Sequence, residues 1–300
     1  MSERDVTIVE VGPRDGLQNE ATPLSTEFKV ELVRRLEACG FGEVEVTSMV
    51  HPKWVPQLAD AADLLRALSL HPSPSQRTVL VPNSKGLERA LEMGAQRVAV
   101  FVAASESFSQ KNTNRSIAQG MEETERVVQT ALTSGVSVRG YLSTVFHCPF
   151  EGKIAPQGAA ELARQLLRMG CDQVSLGDTI GAAVPEEIDE LLRCLEGVPL
   201  SQLALHLHDT YGTALANASR GLERGIRTFD SSVGGAGGCP YAPGATGNLA
   251  TEDLLYLLER GGWNHGLDRD AVLEAARFLE GGLGRPLESH LLRVHRSQAR

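Results

Sequence analysis

The most specific chemistry in this sequence lies in the tripeptide His206-Leu207-His208. It closes an apolar run, Leu203–Leu207, that reads as a β-strand. Two imidazoles two residues apart on a strand point to one face and can bind a single ion together. A lone histidine on such a run is usually packed in a core, but a same-facing pair at a strand end favours metal ligation. A carboxylate from Asp15 and an amide oxygen from the loop that follows the last strand would complete the donor set. Imidazole with hard oxygen suits Mg2+ or Mn2+, and zinc or iron is also compatible.

Other polar groups collect at the ends of apolar runs. Gly12-Pro13-Arg14-Asp15-Gly16-Leu17-Gln18-Asn19-Glu20 follows the first run, and by itself would read as a turn with an ion pair. In Glu43-Val44-Glu45-Val46-Thr47, strand alternation puts Glu43, Glu45 and Thr47 on one face, and an inward carboxylate needs a partner that Arg14 could supply. Asp178 and Asp209 each open an Asp-Thr-x-Gly turn. The stretch Gly234–Asn248 holds six glycines and lacks the Gly-Lys-Ser/Thr end of a phosphate loop, so it reads as a closing lid that carries Cys239. Thr251, with Glu252 and Asp253, reads as the cap and first turn of the next helix and places Asn248 near its start.

These residues must be positioned by regular elements. A helix-like segment closed by Gly and followed by an apolar β-branched run recurs five times, at Gly40, Gly94, Gly135, Gly170 and Gly225. Eight short strands are expected: Val6–Val11, Glu43–Thr47, Thr78–Val81, Arg97–Val102, Val136–Leu142, Gln173–Leu176, Leu203–Leu207 and Thr228–Ser231. Amphipathic stripes such as Phe28/Leu32/Leu36 and Leu162/Leu166/Met169 lie between them, and Pro185 with Glu186 and Glu187 opens a further helix. Eight alternating βα units favour a parallel sheet closed into an α/β (β/α)8 TIM barrel, with a short C-terminal helical extension. No linker divides residues 1–300, which read as one catalytic domain. An open Rossmann-like sheet is the structural alternative, but no GxGxxG follows the first run.

Composition narrows the partners. The net charge of −9 disfavours nucleic acid and anionic membranes and leaves a small-molecule substrate. No apolar stretch is long enough to span a bilayer. Five cysteines at irregular spacing, with no CxxC pair and no signal peptide at the N-terminus, suit a reducing cytoplasm.

Five segments in order, Val9–Glu20, Glu45–Gln57, Ser175–Gly181, His206–Gly212 and Gly234–Leu254, resemble the 3-hydroxy-3-methylglutaryl-CoA lyases of the DRE-TIM metallolyase superfamily. The Asp, Arg and Glu of that superfamily's name fall on Asp15, Arg14 and Glu45. The resemblance implies that Asp15, His206, His208 and Asn248 hold a divalent cation. It also implies charge stabilisation by Arg14, an acid network of Glu45 and Asp178, and proton transfer by Cys239. The implied reaction is retro-Claisen cleavage of the acyl-CoA to acetyl-CoA and acetoacetate, in leucine degradation and ketone-body formation, by a homodimer.

Arg14, Gln18, Lys111 and Asn112 are the candidate substrate contacts, the last two toward coenzyme A phosphates. A larger 3-hydroxy-3-substituted glutaryl-CoA is an alternative substrate. A condensing synthase on the same barrel is a rival activity, but Gly281–Arg300 leaves little room for the regulatory domain such synthases add. A two-His, one-carboxylate iron oxygenase is a more distant rival.

Overall fold

The computed structural model describes residues 5–238 and 247–298. Eight parallel strands close into a barrel: β1 (Thr7–Glu10), β2 (Glu43–Ser48), β3 (Gln76–Leu80), β4 (Arg97–Ala103), β5 (Ser137–Ser143), β6 (Gln173–Asp178), β7 (Leu203–Leu207) and β8 (Thr228–Ser231). Neighbours in the barrel are neighbours in the chain, and β8 returns to pair with β1, with Val9 opposite Asp230. This is the TIM-barrel order expected from the repeated βα units, and each of the eight expected strands is present within a few residues. His208 falls one residue beyond β7, where it bridges to Asn248.

The helices coat the barrel because one face of each is apolar. In α1 (Thr26–Ala38), Leu32 and Leu36 are fully buried, and in α6 (Pro156–Met169) Leu166 is too. Phe28 extends the α1 stripe outward to stack on Phe278 of α10 (Arg269–Leu283), with centroids 4.2 Å apart. Pro185 opens α7 (Pro185–Cys194) as expected, with Glu186 and Glu187 in its first turn. The C-terminal extension is α10 followed by α11 (His290–Gln298). Among the described residues, no helix is long and apolar enough to cross a membrane, and Cys39, Cys148, Cys171 and Cys194 are free.

All five helix-ending glycines adopt a positive φ: Gly40 97°, Gly94 75°, Gly135 75°, Gly170 113° and Gly225 94°. The left-handed conformation turns each helix end directly into the next strand, and a Cβ there costs about 1–2 kcal/mol.

Thr251 behaves differently from the expectation. The helix α9 (Thr251–Arg260) is preceded by Ala250 at the cap position, and Thr251 is its first helical residue. Its hydroxyl donates to Glu10 Oε2 at 2.7 Å and meets Ser231 Oγ at 2.8 Å. A capping side chain would have to face its own helix; this one is drawn to a buried carboxylate instead. Glu10 Oε1 also accepts from the backbone N–H groups of Gly12 (2.8 Å) and Val233 (2.9 Å), and Glu252 accepts from Gly234 N at 2.8 and 3.0 Å. Glu10 thus ties the loop after β1 to the loop after β8, and Glu252 pins the latter to the first turn of α9.

Two outcomes are expected. Gly135→Ala, with open space around its new Cβ, should lose only the conformational term of about 1 kcal/mol in urea unfolding, whereas Gly170→Ala must also displace Leu132, 2.6 Å from that Cβ, and should lose more. Burial raises Glu10 to about 7 and Glu252 to about 8. A carboxyl raised on folding favours the native state fully below its unfolded value near 4.5 and loses that contribution as pH climbs through the folded value. The melting temperature should therefore fall between about pH 4.5 and 8, and Glu10→Gln should make that fall shallower below about pH 7; an equally steep fall in the variant would show that Glu10 does not cause it.

Candidate metal centre and active site

The loop after β1 makes a tight π-helical turn, Gly12–Gly16, which aims Arg14 and Asp15 over the barrel mouth. Arg14 lies between two carboxylates. It donates to Asp15 Oδ1 at 2.5 Å and to Glu45 Oε2 at 2.9 Å, and its guanidinium stands 5.6 Å from the centre of the Tyr141 ring. Tyr141 donates its hydroxyl to the same Glu45 oxygen at 3.0 Å. Glu45 is fully buried, and its Oε1 has no hydrogen-bond partner among the described residues. Burial pushes the Glu45 carboxyl up against the opposing pull of Arg14.

With Oδ1 given to Arg14, Asp15 presents Oδ2 to the histidines. That oxygen lies 3.8 Å from His206 Nε2 and 4.0 Å from His208 Nε2, and the two ring nitrogens face each other at 3.3 Å. The strand pairing argued from sequence does bring both imidazoles to one point. The ligand atoms of Asp15, His206 and His208 all lie within 4.8 Å of one another, the spacing a single cation needs. Asn248 joins them from the loop before α9. Its Nδ2 donates to Asp15 Oδ2 at 2.9 Å and to the Ala236 carbonyl at 3.1 Å, while its Oδ1 is buried without a partner among the described residues. Gly237, at φ 123°, makes room for this amide: a Cβ there would come within 2.5 Å of Asn248 Nδ2.

The electrostatics match a cation site. Burial opposes ionisation of Asp15, but Arg14 and the two imidazoles outweigh it and hold the carboxyl well below its usual range. Burial and the adjacent His206 push His208 down to about 4, which leaves it a neutral lone-pair donor. Burial also works against a charge on His206, yet Asp230 and Asp15 prevail and raise it. Two nitrogen donors and a carboxylate oxygen therefore converge on one partly dehydrated point, with the Asn248 amide beside them, its Nδ2 on Asp15 Oδ2. The residues present fit a divalent cation.

The other expected residues are more dispersed. Asp178, at the end of β6, is fully buried and accepts from the backbone N–H of Ala182 (3.0 Å) and Ala183 (3.1 Å). It holds the turn after its strand, and burial raises it to about 6. Gln18 is half-buried one turn beyond Arg14. Lys111 and Asn112 are exposed on α4 (Glu106–Thr113), where Lys111 Nζ sits 4.2 Å from the Phe150 ring centre. Cys239 lies outside the described residues; Gly238 just before it accepts from Asn19 Nδ2 at 2.7 Å. Sequence reasoning missed Tyr141, Arg139 and Asp230. The last two form a buried ion pair at 2.7 Å beneath the histidines, and the only sequence signal for them was a charged residue inside each of two apolar strands.

Comparison with known proteins agrees with this geometry. The profile of the HMGL-like family matches residues 5–279. The chain is 48% identical over 280 residues to the hydroxymethylglutaryl-CoA lyase of Pseudomonas mevalonii, covering 93% of each. The crystal structure of the hydroxymethylglutaryl-CoA lyase from Pseudomonas aeruginosa superposes with a TM-score of 0.95 at 46% identity, covering 98% of both chains. An HMG-CoA lyase from Acinetobacter baumannii, solved with coenzyme A and 3-methylmalate, superposes with a TM-score of 0.91 at 35% identity over 96% of this chain and 94% of that one. With its arginine, aspartate and glutamate at one barrel mouth and two histidines beside them, the chain belongs to the HMGL-like family.

Proposed function

We propose that this chain is a carbon–carbon lyase that cleaves (S)-3-hydroxy-3-methylglutaryl-CoA to acetyl-CoA and acetoacetate, the step its relatives are named for, in leucine breakdown. The observation that carries the reading is the convergence of Asp15 Oδ2, His206 Nε2 and His208 Nε2 beside an arginine already shared by two carboxylates. The bound coenzyme A of the Acinetobacter baumannii enzyme supports an acyl-CoA substrate.

Asp15, His206 and His208 would hold the cation, joined by Asn248 through its unsatisfied Oδ1; Mg2+ or Mn2+ suits these donors. When bound, the ion acts as a Lewis acid toward the substrate's oxygens. The chain's own groups do the rest. Cleavage takes the proton from the tertiary alcohol, breaks the adjacent carbon–carbon bond and leaves its electron pair on the thioester fragment as an enolate.

Among the described residues Glu45 Oε1 is a carboxylate oxygen without a hydrogen bond, whereas His206 Nδ1 is already engaged by Asp230, so Glu45 is the better acceptor for the alcohol proton. Arg14 stays cationic throughout and lies where it can meet the thioester oxygen as charge grows there. Glu45 and Asp15 grip it from two sides, so little reorganisation is needed as the bond breaks. Cys239 then gives a proton to the enolate carbon, and the proton taken up by Glu45 returns to the Cys239 thiolate to close the cycle. Asp178 supports the site from beneath by fixing the turn after β6. Gln18, Lys111 and Asn112 remain candidates for the substrate's carboxylate and coenzyme A ends.

We read residues 1–300 as one catalytic domain, acting in the cytoplasm as a homodimer. The bacterial relative and the free cysteines support the compartment. A molar mass twice 32.2 kDa by light scattering would support the dimer.

Purified protein incubated with hydroxymethylglutaryl-CoA and Mg2+ should release acetoacetate. Chelator should stop the reaction and added Mg2+ or Mn2+ restore it; turnover that persists after full metal removal would overturn the metal assignment. Arg14→Gln should lower kcat by about 100- to 1000-fold with KM little changed, because its contact strengthens as charge develops. A rise in KM alone would make Arg14 a substrate anchor and nothing more.

A further inference from the structure

Asp230 and His206 are register partners on adjacent strands β8 and β7, so their side chains project side by side into the barrel. Asp230 Oδ2 lies 3.2 Å from His206 Nδ1 and accepts from Ser175 Oγ at 2.6 Å; Oδ1 accepts from Arg139 at 2.7 Å. Arg139 is fully buried and reaches the opposite side as well, donating to the Tyr141 hydroxyl at 2.9 Å and to Gln173 Oε1 at 3.1 Å. Every oxygen of Asp230 therefore has a donor. A simple counter-ion for Arg139 would need only Oδ1, so Oδ2 has a second use.

We propose that Asp230, anchored by Arg139 and Ser175, is a positioning residue that keeps the hydrogen of His206 on Nδ1 and so keeps the Nε2 lone pair turned toward the cation. The inference rests on the reading that Asp15, His206 and His208 hold a metal. A carboxylate flanked by a guanidinium and a hydroxyl donor can only accept from His206, which places that hydrogen on Nδ1. Nε2 is then bare, and it is the atom that faces His208 and Asp15. His208 has no equivalent partner: its Nδ1 is buried without a hydrogen bond among the described residues. The two imidazoles are thus unequal, His206 pre-oriented by a carboxylate and His208 placed by its backbone bridge to Asn248. Hydrogen-bonded carboxylates behind ligating histidines commonly change metal affinity by about 10- to 100-fold.

The test compares Mn2+ binding, followed by electron paramagnetic resonance of the free ion, in the wild type, His206→Ala, Asp230→Asn and the charge-balanced double variant Arg139→Gln/Asp230→Asn. The double variant avoids leaving a lone buried guanidinium. The expected result is a Kd for Mn2+ raised about 10- to 100-fold by either Asp230 change, in protein whose melting in the absence of metal shows it folded. Weakened binding in His206→Ala with unchanged binding in the folded Asp230 variants would overturn the inference and leave the metal site standing. Unchanged binding in His206→Ala would instead defeat the underlying metal reading. Should neither Asp230 variant fold, long-range 1H–15N spectra of histidine-labelled, Mg2+-loaded wild type decide. A hydrogen on Nδ1 of His206 upholds the assignment, and a hydrogen on Nε2 refutes it.

Discussion

Charges inside the barrel are tolerable only in compensated sets, and Arg14 is the centre of the set that matters. Stripped of water, an unpaired guanidinium or carboxylate costs several kcal/mol. Arg14 is only 6% exposed and is shared by Asp15 and Glu45, while Arg139, fully buried, answers Asp230. Formally, three carboxylates stand against two guanidiniums in this continuous network. The remaining negative charge is offset by a proton on the imidazole pair or by a cation held in its place. The barrel interior is therefore electrostatically incomplete at the one point where the ligand atoms meet.

The loops that carry these groups are fixed from below. Glu10 and Glu252 hold the backbone of Gly12, Val233 and Gly234, so the segments bearing Arg14, Asp15 and the approach to Cys239 share one buried foundation. An arginine proposed to meet developing charge must stay within a fraction of an ångström of its productive position. The rigid strand ends and this polar footing give it that, even though the residues themselves lie on loops.

Much of this was legible in the residue order because it rests on local periodicity. The spacing of His206 and His208 fixes a shared face whatever the rest of the chain does, and glycine at the five helix ends states its φ in advance. The eight strands followed from β-branched runs between those glycines. What escaped is what depends on register between strands. Asp230 is beside His206 only because β8 pairs with β7 at that offset, and Tyr141 meets Glu45 across the barrel, 96 positions away in sequence. Thr251 looked like a helix cap because that role is local, but a buried glutamate 241 positions distant claimed its hydroxyl. Asp178, read from the sequence as the opening of a turn, does hold the turn after its own strand, with its oxygens on the backbone amides of Ala182 and Ala183.

The C-terminal helix is less peripheral than its place in the chain suggests. Asp253, one residue after Glu252, receives Ser289 Oγ and the backbone N–H groups of His290 and Leu291, so it caps α11 from the first turn of α9. Leu287 packs so closely on Gly234, at φ 69°, that any Cβ there would collide with it, and Ser289 N donates to the Gly234 carbonyl. The tail is thus a wedge driven behind Gly234, where the chain leaves β8. Shortening the protein before Ser289, or fusing a partner there, would remove the contacts that seat Gly234, and a change made at the far end of the chain would be felt in the loop after β8 that runs beside Asn248 and Ala250.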